Sequence, residues 1–116
     1  MFRILLADDE GIMLESLKKI ITTSFGSECD IRCVKTGRGV VEMAESFHPD
    51  IAFVDIHMPG LSGIQAIQEI RKVDKEMMII IITAYDKFAY AKEAVNLGVM
   101  EYLTKPISNK KIILDV

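Results

Sequence analysis

Two cysteines, three prolines and no long apolar run set the first limits on this chain of 116 residues. Cys29 and Cys33 lie four apart, which is not the redox spacing. On a strand they would stand about 13 Å from each other, beyond disulfide reach. No histidine lies near them to complete a metal site, so they read as free thiols, buried or half-buried. With so little proline, half the residues hydrophobic and 27% charged, the chain is an ordinary folded domain, not a disordered one. The longest apolar run, residues 77–82, falls far short of a membrane span. Strong charge is missing too. Lys and Arg number 14 against 17 Asp and Glu, a net charge of −3. That balance gives no footprint for nucleic acid, so any DNA contact belongs to another segment. The start, MFRILLADDE, lacks the longer apolar region and small-residue cleavage site of a secretory signal, and a cytoplasmic location is expected.

What is present is an alternation of short dense apolar runs with longer helical ones. The dense runs cover residues 2–7, 31–34, 51–54, 77–82 and 99–103. Four are nearly continuous, as strands covered on both faces must be. The second carries more charge and suits a sheet edge. Met13, Leu14, Leu17, Ile20, Ile21 and Phe25 share one helical face. Val40, Val41, Ala44 and Phe47 mark a second helix, N-capped by Thr36. Ser62 and Gln65 form a capping box ahead of Ile64, Ile67, Ile70 and Val73. Asp86 caps a fourth helix with Phe88, Ala91, Ala94 and Val95, and Gly98 follows its end. Ser108 starts a fifth. The order is βα five times, which predicts an α/β fold: a five-stranded parallel sheet, doubly wound, with helices on both faces. Size allows one domain, residues 1–116. Only about nine residues follow Ile107, against an average helix of about 11–12. The expectation is a domain cut within its last helix from a longer protein. Gly37 and Gly39 at the start of the second helix cost roughly 1 kcal/mol each if helical, which puts local rigidity in question.

Chemistry concentrates where the strand-like runs end. In an open parallel sheet, the strands' carboxyl ends line one crevice. Asp8 and Asp9 follow the first run; taken alone, they read equally as acids at a helix N-terminus. Asp55 ends the third run, before the Pro59-Gly60 turn; alone it reads as an Asx turn. Thr83 follows the fourth run, where a hydroxyl can bind a phosphoryl oxygen or simply terminate a strand. Lys105 follows the fifth and precedes Pro106. X-Pro bonds take the cis form at modest cost in tight turns, and a cis Pro106 would aim Lys105 inward. A solvated lysine is the plainer alternative. Three carboxylates repel one another unless a cation lies among them, so the set asks for a hard metal such as Mg²⁺.

Acid pair, acid, hydroxyl and lysine, in that order, resemble the receiver domain of bacterial two-component response regulators over essentially the whole chain. The matching stretches are Ile4-Leu5-Leu6-Ala7-Asp8-Asp9-Glu10, Asp55-Ile56-His57-Met58-Pro59-Gly60, Thr83-Ala84 and Tyr102-Leu103-Thr104-Lys105-Pro106. Tyr85-Asp86-Lys87-Phe88-Ala89-Tyr90-Ala91-Lys92 is similar to a subgroup whose outputs are often AraC-type DNA-binding domains. The resemblance implies a flavodoxin-like strand order 2-1-3-4-5 and Asp55 as phosphoacceptor from a sensor histidine kinase or a small donor. It implies Mg²⁺ (or Mn²⁺) held by Asp9, Asp55 and the His57 backbone carbonyl, with Asp8 bound directly or through water. Lys105, Thr83 and the backbone N–H groups of His57 and Ala84 would take the phosphoryl oxygens. Thr83 and Tyr102 would form the switch. The face of the fourth helix, fifth strand and fifth helix would bind partners, a second copy included, and control an output domain missing from this chain. The protein would then be a signalling phosphoacceptor and not an enzyme acting on other substrates. His57 and Tyr85, two residues past Asp55 and Thr83, would slow loss of phosphate. The His57 side chain itself reads as partly exposed, since Mg²⁺ prefers oxygen.

Three rival readings share parts of this pattern. A phosphohydrolase with an aspartyl-phosphate intermediate needs a second acid two residues after Asp55, where His57 stands. A flavin-binding module needs a hydroxyl- and glycine-rich phosphate loop where Asp8-Asp9-Glu10-Gly11 stands. A phosphorylation-independent interaction module of the same fold would not need the full reactive set.

Overall fold

The computed structural model describes residues 2–84 and 88–105. Five strands form one parallel sheet: β1 (Phe2–Ala7), β2 (Cys29–Val34), β3 (Ile51–Val54), β4 (Met78–Thr83) and β5 (Glu101–Thr104). Their order is β2-β1-β3-β4-β5, as expected. Helices α1 (Gly11–Phe25), α2 (Gly37–Ser46), α3 (Gly63–Arg71) and α4 (Phe88–Asn96) connect them. The Asp86 cap, the cis Pro106 and the helix from Ser108 lie outside the described residues.

The period of two along each strand divides the core between the faces. Ile4 and Leu6 join Ile51, Phe53, Ile80 and Ile82 in a layer covered by Leu14, Leu17 and Ile21 of α1. Leu5 and Ala7 join Ala52, Val54, Ile79 and Ile81 in the other layer, closed by Val40, Ile64, Ile67, Ile70 and Ala94 of α2, α3 and α4. The three inner strands are thus apolar on both sides. Removing them from water supplies the driving force for sheet formation at about 25 cal/mol per Å².

Helix starts follow local chemistry. Thr36 accepts from the Gly39 N–H at 3.0 Å. Ser62 and Gln65 make the reciprocal capping box. At the other end of α4, Gly98 takes φ 68°. Arg71, at the end of α3, ties that region down: Nε donates to the Leu97 carbonyl at 2.8 Å and Nη2 to that of Gly98 at 3.2 Å.

Several expectations need correction. β2 starts at Cys29, two residues early, and Cys33 is exposed, not buried, because β2 is the sheet edge. β4 is shifted one residue on from the expected 77–82, to Met78–Thr83, and β5 starts two residues later and ends one later than the expected 99–103, at Glu101–Thr104. Val73 lies beyond the end of α3 and Val95 on the outer side of α4; they are 82% and 76% exposed. Gly37 is not a weak point. It is buried, and a Cβ there would run into the Leu61 carbonyl and side chain, so α2 approaches the β3–α3 loop at a distance only glycine permits.

Candidate functional site

Parallel register brings the reactive residues to one end of the sheet. Ala7 is in register with Val34 on one side and Val54 on the other. The next residues, Asp8 and Asp55, therefore emerge side by side; the Asp55 N–H donates to the Ala7 carbonyl at 2.9 Å. Thr83 is paired with Thr104, and the Lys105 N–H donates to the Thr83 carbonyl at 2.8 Å. Behind Asp55 the backbone is clamped. The Gly63 N–H donates to the Ile56 carbonyl at 2.8 Å, and a Cβ on Gly63 would collide with the Asp55 carbonyl.

Lys105 closes the site. Its Nζ lies 2.8 Å from Asp8 Oδ2, 3.1 Å from Glu10 Oε1 and 3.4 Å from Asp55 Oδ2. Asp8 and Asp55 are buried, and the Lys105 side chain is 14% exposed. Asp8 Oδ1 also accepts the Glu10 N–H at 2.9 Å, while Asp55 Oδ1 accepts the His57 N–H at 3.4 Å. Burial, and next the charge of Asp8, push the Asp55 carboxyl above its ordinary pKa; Lys105 and the His57 N–H oppose this without reversing it. For Lys105, burial works against the charged form. The hydrogen bond to Asp8, the charge of Asp55 and the bond to Glu10 outweigh it, and hold the ammonium above the ordinary lysine value.

Ligand atoms of Asp8, Asp9, Glu10 and Asp55 lie within 4.8 Å of one another. Four carboxylates against one ammonium leave three formal negative charges in a half-buried crevice. An all-oxygen set of this kind suits a hard divalent cation.

Of the expected residues, Asp8, Asp9, Asp55 and Lys105 converge as drawn. Thr83 is fully buried at the end of β4, beside β3 in the sheet. Tyr102 is half-buried on the edge strand β5 and packs on the α2–α4 side of the core. The His57 imidazole is exposed, and its ring meets Tyr90 edge-on. Glu10 was given no role from sequence. It directly follows the acid pair, and its place in the same loop was the available signal.

A family model described as the response regulator receiver domain matches residues 4–116. Chemotaxis protein CheY of Thermotoga maritima is 36% identical over 111 residues, which cover 96% of this chain and 91% of that protein. The uncharacterized transcriptional regulatory protein YesN of Bacillus subtilis is 34% identical over 97% of this chain but only 31% of its own length. This chain spans less than half of several other curated relatives as well. Among solved structures, the REC domain of AraT, a response regulator from Geobacillus stearothermophilus, superposes with a TM-score of 0.84 at 32% identity, covering 98% of this chain and 88% of that one. Sheet order, strand-end chemistry and sequence agree along nearly the whole length, and the chain belongs to the family of response regulator receiver domains.

Proposed function

We propose that Asp55 accepts a phosphoryl group from a phosphohistidine of a sensor histidine kinase, or from a small acyl phosphate. The observation that carries this reading is the Lys105 ammonium within 3.4 Å of both Asp8 and Asp55. One Asp55 oxygen attacks phosphorus. The O–P bond forms as the donor's N–P bond breaks; the electron pair returns to the imidazole, which takes up a proton. Lys105 supplies a point charge for a phosphoryl oxygen, and Thr83 with the His57 and Ala84 N–H groups supplies donors for the others. Transfer of this kind needs positioning and neutralisation more than covalent help from the protein. The carboxylate set fits Mg²⁺ or Mn²⁺, which Asp9, Asp55 and the His57 backbone carbonyl would hold, with Asp8 beside them. When bound, the ion would neutralise crevice and phosphoryl charge together.

The acyl phosphate adds charge and acceptor oxygens next to buried Thr83. Thr83 moves toward them, and the space released lets Tyr102 turn inward. The face that includes α4 and β5 then changes shape and binds a second copy or an output domain. Transcriptional regulatory proteins among the relatives support transcription as the output under control.

Acetyl phosphate with Mg²⁺, read by intact mass, tests the reading. One phosphoryl addition is expected on the wild type and none on Asp55→Asn. Equal labelling of both would end it, and no labelling of either would favour a phosphorylation-independent interaction module.

A further inference from the structure

A second lysine stands beside the crevice, outside the chemistry described so far. Lys35 is the single residue between the end of β2 at Val34 and Thr36, the N-cap of α2. Its backbone is fixed on both sides. The Val34 carbonyl accepts the Asp8 N–H at 3.2 Å, and the Thr36 side chain accepts the Gly39 N–H at 3.0 Å. Ala7 and Val34 are in register, so Lys35 leaves β2 level with Asp8. Its side chain reaches the end of the acidic loop. Lys35 Nζ lies 3.4 Å from the point that a Cβ on Gly11 would occupy, and Gly11 directly follows Glu10. Lys35 is exposed, and among the described residues no carboxylate lies within ion-pair distance of it.

The two lysines differ in what their charges meet. Lys105 is engaged by three carboxylates inside the crevice. Lys35 has no such partner and stands at the rim, where its charge acts on whatever approaches. Two charged species do. The carboxylates draw in a divalent cation, while a phosphodonor carries negative charge toward a crevice that is itself negative. We propose that Lys35 is a specificity-determining residue of this site. It favours the approach of a dianionic phosphodonor to Asp55, and it weakens the crevice's hold on a divalent cation. The inference rests on the reading of Asp55 as phosphoacceptor. One charge acting through space has opposite effects on two species of opposite sign. Both effects fade as salt rises, because Lys35 is exposed. The transfer itself keeps its balance. With acetyl phosphate, the bond from Asp55 to phosphorus forms, and acetate leaves with the electron pair of the bond that breaks. Lys35 changes how often the encounter brings the donor there, not the bonds exchanged.

The test follows labelling by intact mass with acetyl phosphate at saturating Mg²⁺, in wild type, Lys35→Arg, Lys35→Gln and Lys35→Glu. At an ionic strength of about 0.1 M the Debye length is about 10 Å. There Lys35→Gln should slow labelling about two- to fourfold, and Lys35→Glu further. Lys35→Arg should keep the wild-type rate. At about 1 M the Debye length shrinks to about 3 Å, and the four rates should converge. Phosphoramidate, less negative than acetyl phosphate near neutral pH, should show a smaller loss. Mg²⁺ alone, titrated by calorimetry with no donor present, should bind about two- to fourfold tighter to Lys35→Glu at the lower salt. An unchanged labelling rate in Lys35→Glu overturns the proposal. So does a loss that persists in full at the higher salt, or a Mg²⁺ affinity that falls along with the rate. A wild type that takes no label at Asp55 overturns the phosphoacceptor reading itself. A labelled wild type with an insensitive Lys35 overturns this proposal alone.

Discussion

At the scale of single residues, Lys105 carries the most. One ammonium serves three carboxylates, two of them buried, and the crevice stays short of positive charge even so. Lys105→Met should lower metal-free stability by about 3 kcal/mol, since it strands buried Asp8 and Asp55 without their cation. Added Mg²⁺ should recover part of that loss, and urea unfolding with and without the ion measures both. The pH dependence has a definite sign. The folded-state pKa of Lys105 lies above its ordinary 10.5, so its contribution is complete below pH 10.5 and drains away as pH rises through the folded value. Asp55 runs the other way from a paired acid. Its raised pKa means the folded state binds the extra proton, so stability falls as pH climbs above 3.8 through the folded value. Asp55→Asn should therefore unfold at higher urea than wild type without metal, and a lower midpoint would contradict the electrostatics described. The convergence of Asp8, Asp55 and Lys105 was legible because each stands at the carboxyl end of a dense apolar run. Glu10 was not. Its place after the acid pair was the one signal, and that alone does not separate a helix-start acid from a partner of a lysine 95 residues away.

Elements meet the site through their ends. The β3–α3 connection is held by the Ser62–Gln65 box, which local sequence announces, and by Gly63 against the Asp55 carbonyl, which it does not. A glycine inside Ser62-Gly63-Ile64 looks like an ordinary first helical residue; only the assembled sheet reveals what it touches. Gly63→Ala should cost about 1–3 kcal/mol through overpacking and also slow labelling at Asp55, because the displaced backbone belongs to the proposed phosphoacceptor. Ser62→Ala should cost about 1 kcal/mol and leave labelling intact. Denaturant midpoints beside acetyl phosphate kinetics separate the two. The same limit hid Arg71, whose acceptor carbonyls lie 26 and 27 residues downstream.

For the whole molecule, topology was readable because burial on both faces leaves a nearly continuous apolar signature in β1, β3 and β4. The ends of the weaker edge strands were the least legible, since one side of each has no neighbour to demand a hydrophobic residue. Val95 stands exposed on α4, and the proposed switch would use the face that includes α4 and β5. Beryllofluoride with Mg²⁺ should shift the protein from monomer toward dimer in light scattering; a monomer throughout would remove the dimer from the proposed switch.

Lys105 meets Asp8 across 97 residues of chain. During synthesis the acidic loop leaves the ribosome long before its counter-ion is made. The buried carboxylates of Asp8 and Asp55 thus stay among unrelieved like charges until the last strand docks, and the crevice is completed only with the sheet.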